Sequence, residues 1–169
     1  MNSKDMRGLT VISMADGTQV GTIDQVYLDL DAKQVVGFSI TNGVGPFGGA
    51  RDTAPTVAAS GVHTLEPDAL TLDDVVAAHA AWVDAVYGPL ETTDDVMGRT
   101  VVTAGGAGVG AVAAVGFDAR TFAITEVEVS PGFLKTNTHI PLDQLVSIGP
   151  DVLIVTDVAE VGSAPSSTG

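Results

Sequence analysis

The chain has 169 residues, with 21 acidic against 7 basic side chains, a formal net charge of −14 and no cysteine. The missing thiol excludes disulfides, thiolate metal sites and a cysteine nucleophile. The charge excludes the clustered Lys and Arg by which proteins hold nucleic-acid phosphates or an anionic membrane surface.

Taken in order, residues 1–7 reach Gly8 without an apolar signal core, so a cytoplasmic location is expected, and residues 1–5 are expected to be disordered. A first strand at Gly8-Leu-Thr-Val11 meets a turn at Asp16-Gly17. The strand from Thr22 to Leu28 meets a second turn at Asp29-Leu-Asp31-Ala-Lys33. Val36, Phe38 and Ile40 then alternate with Val35, Gly37 and Ser39, which predicts a strand with one buried face. After the glycine-rich loop Asn42 to Asp52, Thr71 to Tyr87 has helical spacing. Thr71 and Asp74 suggest a capping box, and Leu72, Val75, Val76, His79, Trp82, Val83 and Val86 form an apolar stripe. Gly88-Pro89 ends this helix, which is expected to link two halves and pack on one of them.

Beyond it the strand pattern returns. Thr100 to Phe117 is uncharged, but its glycines and alanines make it too weakly hydrophobic for a membrane span. Asp118 marks a turn, and Val127 and Val129 alternate with Glu126 and Glu128, which are expected on the wet face. A loop from Ser130 to Asn137, the segment Ile140-Pro-Leu-Asp143 and a turn at Gly149-Pro150-Asp151 follow, and 162–169 is expected to be disordered.

The chain also aligns with itself. Gly8-Leu-Thr-Val11 matches Gly98-Arg-Thr-Val101 at an offset of 90, and at 89 Gly21, Val26 and Asp29 match Gly110, Val115 and Asp118. Val35, Phe38 and Ile40 fall on Ile124, Val127 and Val129, and at 83 Pro67-Asp68 falls on Pro150-Asp151. Length changes confined to turns are what a duplicated fold tolerates. Short strands at this spacing have to close into a small barrel or cover their edges in another way.

Together these residues resemble the PRC-barrel family, shared by the cytoplasmic domain of the photosynthetic reaction-centre H subunit and the ribosome-maturation factor RimM. One copy supplies Gly8-Leu-Thr-Val11, Asp16-Gly17, Gly21-Thr-Ile23, Asp29-Leu-Asp31 and Val36-Gly-Phe-Ser-Ile40. The other supplies Gly98-Arg-Thr-Val101, Gly110-Ala-Val112, Asp118, Ile140-Pro-Leu-Asp143 and Gly149-Pro-Asp151. The first copy departs at Val57-Ala-Ala-Ser60, where Ile-Pro-Leu-Asp is expected, and the second has Gly105-Gly106 for Asp-Gly. The resemblance implies an all-β fold with one linker helix: two small PRC-type β-barrels at 6–72 and 89–161, joined by a helix at 73–88. It further implies an adaptor or assembly module without family-wide catalytic residues.

The remaining motifs point the same way. Gly106-Ala-Gly108-Val-Gly110 looks like a dinucleotide-binding turn, but Asp118 follows too early for a ribose contact, and the repeat makes the next segment a strand. Asp29-Leu-Asp31 lacks the glycine and distal Glu of a calcium loop, and His63, His79 and His139 show no zinc-ligand spacing. His79, on the apolar stripe, reads as a packed core histidine. No enzyme site, metal or cofactor is therefore expected. Asp16, Gly17, Asp29, Asp118, Pro150 and Asp151 are read as structural turn residues. The candidate partner contacts are Phe47 with Arg51 and Phe133 with Lys135, an aromatic and a base in corresponding loops. The expected partner is a protein with a basic or apolar surface, with self-association as a homodimer left open. Two other functions stand beside it: a redox or proton-transfer accessory analogous to the H subunit, and a small-ligand binder or enzyme using the inter-barrel groove.

Overall fold

The structure, a computed structural model, describes residues 1–41, 55–131 and 136–156. These form two compact units. One comprises Met1–Thr93 together with Phe117–Ala123, and the other comprises Asp94–Gly116 and the described residues from Ile124 on.

The first unit is built on strands β1 (Thr10–Ser13), β2 (Thr18–Asp29), β3 (Gln34–Thr41), β4 (Thr56–Ala58), β5 (Val62–Leu65) and β6 (Ala69–Leu72). They lie in the order β4-β3-β2-β1-β6-β5, with β1 and β6 parallel. After helix α1 (Val75–Asp84), β7 (Leu90–Thr92) adds to β2, and the four-residue helix α2 (Thr93–Val96) follows. The second unit uses β8 (Thr100–Thr103), β9 (Gly108–Phe117), β10 (Ile124–Ser130), β11 (Thr138–Pro141), β12 (Leu145–Ile148) and β13 (Val152–Val155). Its order, β11-β10-β9-β8-β13-β12 with β8 and β13 parallel, repeats that of the first sheet. The fold is thus mostly β, with the duplication written into its topology.

The repeat extends to places where the sequence departs from it. Val57-Ala-Ala-Ser60 leaves β4 through a 3-10 turn at Ala59–Gly61, as Ile140-Pro-Leu-Asp143 leaves β11 through one at Leu142–Gln144. Residues 1–5, expected to be disordered, instead hold a 3-10 turn at Ser3–Asp5 that leads into the fully buried Met6. Their counterparts ninety residues on are α2 and the buried Val96, and Ser3 and Thr93 are both buried. Each copy therefore begins several residues before its Gly8 or Gly98, in a segment where almost no side-chain identity is shared.

The core follows strand alternation, corrected by bulges. Val11, Ile23, Leu28, Phe38, Ile40, Leu70 and Leu72 fill the first unit, and Val101, Val129, Ile140, Leu153 and Val155 fill the second. Between the pairs Tyr27↔Gly37 and Leu28↔Val35, Val36 has no partner across the ladder. This extra residue puts Val35, rather than the expected Val36, on the buried side with Phe38 and Ile40. Glu128 also differs from expectation. It is buried, on a strand with neighbours on both sides, and its Oε2 accepts a hydrogen bond from the Asn137 amide.

The helix corrects the expected cap and stripe. Thr71 belongs to β6, where its Oγ1 accepts from the Thr64 N–H, and Asp74 is the N-cap, accepting from the Val76 N–H at 2.9 Å. The face turned inward is set by small residues. Ala78 is buried against Gly61, where an added Cβ would come within 2.5 Å of the Ala78 Cβ, and Trp82 lies over Gly37. Val76, Val83 and Val86 consequently point outward instead of packing. Among the described residues no helix is long and apolar enough to cross a membrane.

Candidate functional site

The four expected partner contacts, Phe47, Arg51, Phe133 and Lys135, lie outside the described residues, as does the tail at 162–169. Asp29 Oδ1 accepts from the Asp31 and Ala32 N–H groups, both at 3.1 Å, and Asp118 Oδ1 from Arg120 at 2.7 Å and Thr121 at 3.0 Å. Four residues after each aspartate stands a left-handed residue, Lys33 or Phe122, so this turn is copied with its backbone conformation. Gly17, with φ of +70°, follows Asp16 as the turn demands, and Pro150 and Asp151 sit in a turn closed by Gly149 N–H to Val152 O at 2.9 Å.

The aspartate turns carry an acid-sensitive part of the stability. Hydrogen bonds from the Thr18 hydroxyl and N–H lower the pKa of Asp16 below its ordinary 3.8, and N–H groups of Arg120 and Thr121 do the same for Asp118. A carboxylate whose folded pKa is depressed stabilises above its unfolded value, and the contribution is lost as pH falls through the folded one. The double variant Asp16→Asn/Asp118→Asn is expected to melt below the parent from about pH 5 upward, with the gap closing as pH falls through 3.8 and below. Thermal scans across that range check this, and a gap independent of pH would count against it.

The three histidines do not converge. His63 Nδ1 lies 2.8 Å from Asp73 Oδ1 and His139 Nδ1 lies 2.7 Å from Glu126 Oε2. His79 is not the core residue expected. It is exposed, with Nδ1 2.7 Å from the Thr56 carbonyl, because the inward face of α1 belongs to Ala78. Among the described residues no group of three His, Cys, Asp or Glu is placed to hold a metal ion.

The structure instead gathers two surfaces on the first unit. The first is the outer side of α1, where Val76 is 73% exposed, Val83 63% and Val86, just past the helix end, 97%. From Val75 to Val83 the helix has no charged side chain on any face, a composition normally reserved for helices covered all round. That absence is the signal in the sequence, because an apolar stripe alone does not tell which side of the helix is covered. The second is a groove of about 470 Å³ between the Val36 bulge, Ala58–Ser60, Tyr87 and the turn 120–122. Behind Tyr87 the ring of Trp82 lies 4.7 Å away, and Tyr27 lies 5.2 Å beyond that.

A family model described as PRC-barrel domain matches residues 1–63 and 91–162. The first match takes in β1–β4 and ends within β5, and the second takes in all of β8–β13. Comparison with curated proteins gives no match.

Proposed function

Because the chain belongs to the PRC-barrel domain family and carries the domain twice, we propose that it is a non-enzymatic interaction module that binds another protein. The observation that carries this reading is the uncovered apolar side of α1, where Val76 and Val83, with Val86 just past the helix end, stand in water and no charged side chain lies between Val75 and Val83. Exposing several large aliphatic side chains together is costly unless a partner covers them. The partner that fits has an apolar centre with a basic rim, since the chain as a whole carries a net charge of −14.

Affinity capture from lysate with the full chain, at low and at high salt, tests this. Val76→Asp/Val83→Asp replaces two exposed side chains, so it is expected to melt like the parent while retaining at least about tenfold less of the captured protein. Recovery of no protein at either salt, or equal recovery by the variant, would overturn the proposal.

A further inference from the structure

The groove on the first unit is a different surface from the outer side of α1, and its chemistry suggests a different ligand. Its lining includes Val35, Val36, Val62 and Phe122, with Ser60 and Tyr87 among the polar residues. Its volume, about 470 Å³, suits a small molecule. In a chain with three acidic side chains for each basic one, Arg120 is the sole charged residue lining it among the described residues.

The repeat does not preserve the two polar residues. By the repeat, Ser60 corresponds to Asp143 and Arg120 to Asp31. The same two positions thus carry a hydroxyl and a guanidinium in one case and two carboxylates in the other. The backbone at Arg120 is held in place, its N–H and that of Thr121 donating to Asp118 Oδ1, and the Asp118 carboxylate also lies within electrostatic reach of the guanidinium. Arg120 borders a second hollow as well, but there Asp5 and Glu66 stand on the wall and would repel an anion.

We propose that this groove binds a small amphipathic carboxylate, its acid group paired with Arg120 and its apolar body laid over Val36, Val62 and Phe122. A charge-assisted hydrogen bond to a guanidinium, beside apolar walls, selects such a ligand over its alcohol or amine counterpart.

The full chain carries its own probe. Trp82 is the only tryptophan, and its ring lies 4.7 Å from that of Tyr87 in the groove wall, tilted by 35°. Titration with hexanoate, 1-hexanol and hexylamine is expected to give a saturable change in Trp82 fluorescence with hexanoate alone. Arg120→Ala should weaken hexanoate binding by about tenfold or more without moving the melting temperature, and Arg120→Lys should restore part of it. Equal affinity for hexanol, or hexanoate binding indifferent to Arg120→Ala, would overturn the proposal. So would an absence of hexanoate binding up to about 10 mM. A change in oligomeric state of Arg120→Ala by sedimentation would overturn it too, by assigning the groove to a second copy of the chain. None of these outcomes bears on capture of a protein through Val76 and Val83, so the two readings fail separately.

Discussion

Gly21→Ala is expected to destabilise the first unit by about 3 kcal/mol or more, and Gly110→Ala to do the same to the second. Both glycines adopt backbone conformations closed to other residues, with φ of +156° and +151°. Each also faces a carbonyl across the ladder. A Cβ on Gly21 would run into the Thr41 oxygen, and one on Gly110 into the Ser130 oxygen. These obstacles are backbone atoms paired within a sheet, so neither moves aside as the end of a flexible side chain would. Each glycine therefore does two things at once, making the turn in its strand and letting the neighbouring strand come close. Trp82 fluorescence during denaturant unfolding reads the loss in the first unit. Amide exchange along β8, β9 and β10 reads it in the second. A variant that unfolds within about 0.5 kcal/mol of the parent would show that the backbone relaxes around the new methyl group.

Phe38→Ala should cost about 3–5 kcal/mol. The side chain is fully buried on β3, and its ring meets that of Phe122 at 5.8 Å in an edge-on arrangement. Phe122 in turn stacks on Phe117 at 6.1 Å. Removing the Phe38 ring leaves a cavity walled by paired strands, which collapse little, so both the transfer and the cavity contributions are felt. It also removes the edge-to-face partner of Phe122. Phe38→Leu keeps most of the volume and should cost less than half as much. Equal losses for the two variants in equilibrium unfolding would locate the effect in the aromatic pairing instead of the cavity. Because Phe122 also lines the groove, Phe38→Ala is expected to weaken hexanoate binding as well, whereas Phe38→Leu should leave it nearly unchanged.

Much of this architecture was legible in the sequence because it rests on local constraints that copy with the chain. Gly21 and Gly110, or Asp29 and Asp118, are fixed by backbone conformations and turn hydrogen bonds that few residues can supply. Their spacing therefore survives where the side chains between them have diverged. The opening segments were missed for the opposite reason: Ser3–Asp5 and Thr93–Val96 share little beyond a small buried hydroxyl and a buried apolar residue. The boundaries expected from the repeat also assign 117–123 to the second copy, yet these residues belong to the compact unit formed by the first. Gln34 bridges to Ala123, and the Val35 N–H donates to Phe122 O at 2.8 Å. Backbone pairing of this kind leaves no mark in hydropathy.

By itself the sequence determined the duplication, the predominantly β character, the turns and the likeness to PRC-barrel domains, because periodicity and turn chemistry are properties of neighbouring residues. Only the tertiary structure decided which side of each element is covered. A single unpaired residue, Val36, set Val35 inward. Gly61 and Gly37 admitted Ala78 and Trp82 and so turned Val76 and Val83 to water. Strands on both sides of β10 left Glu128 buried with Asn137 beside it. In each case the deciding contact joins residues distant along the chain or depends on where a small side chain permits close approach. For that reason the composition and its charge of −14 narrowed the kind of partner, while the helix face and the groove that would meet one emerged only from packing.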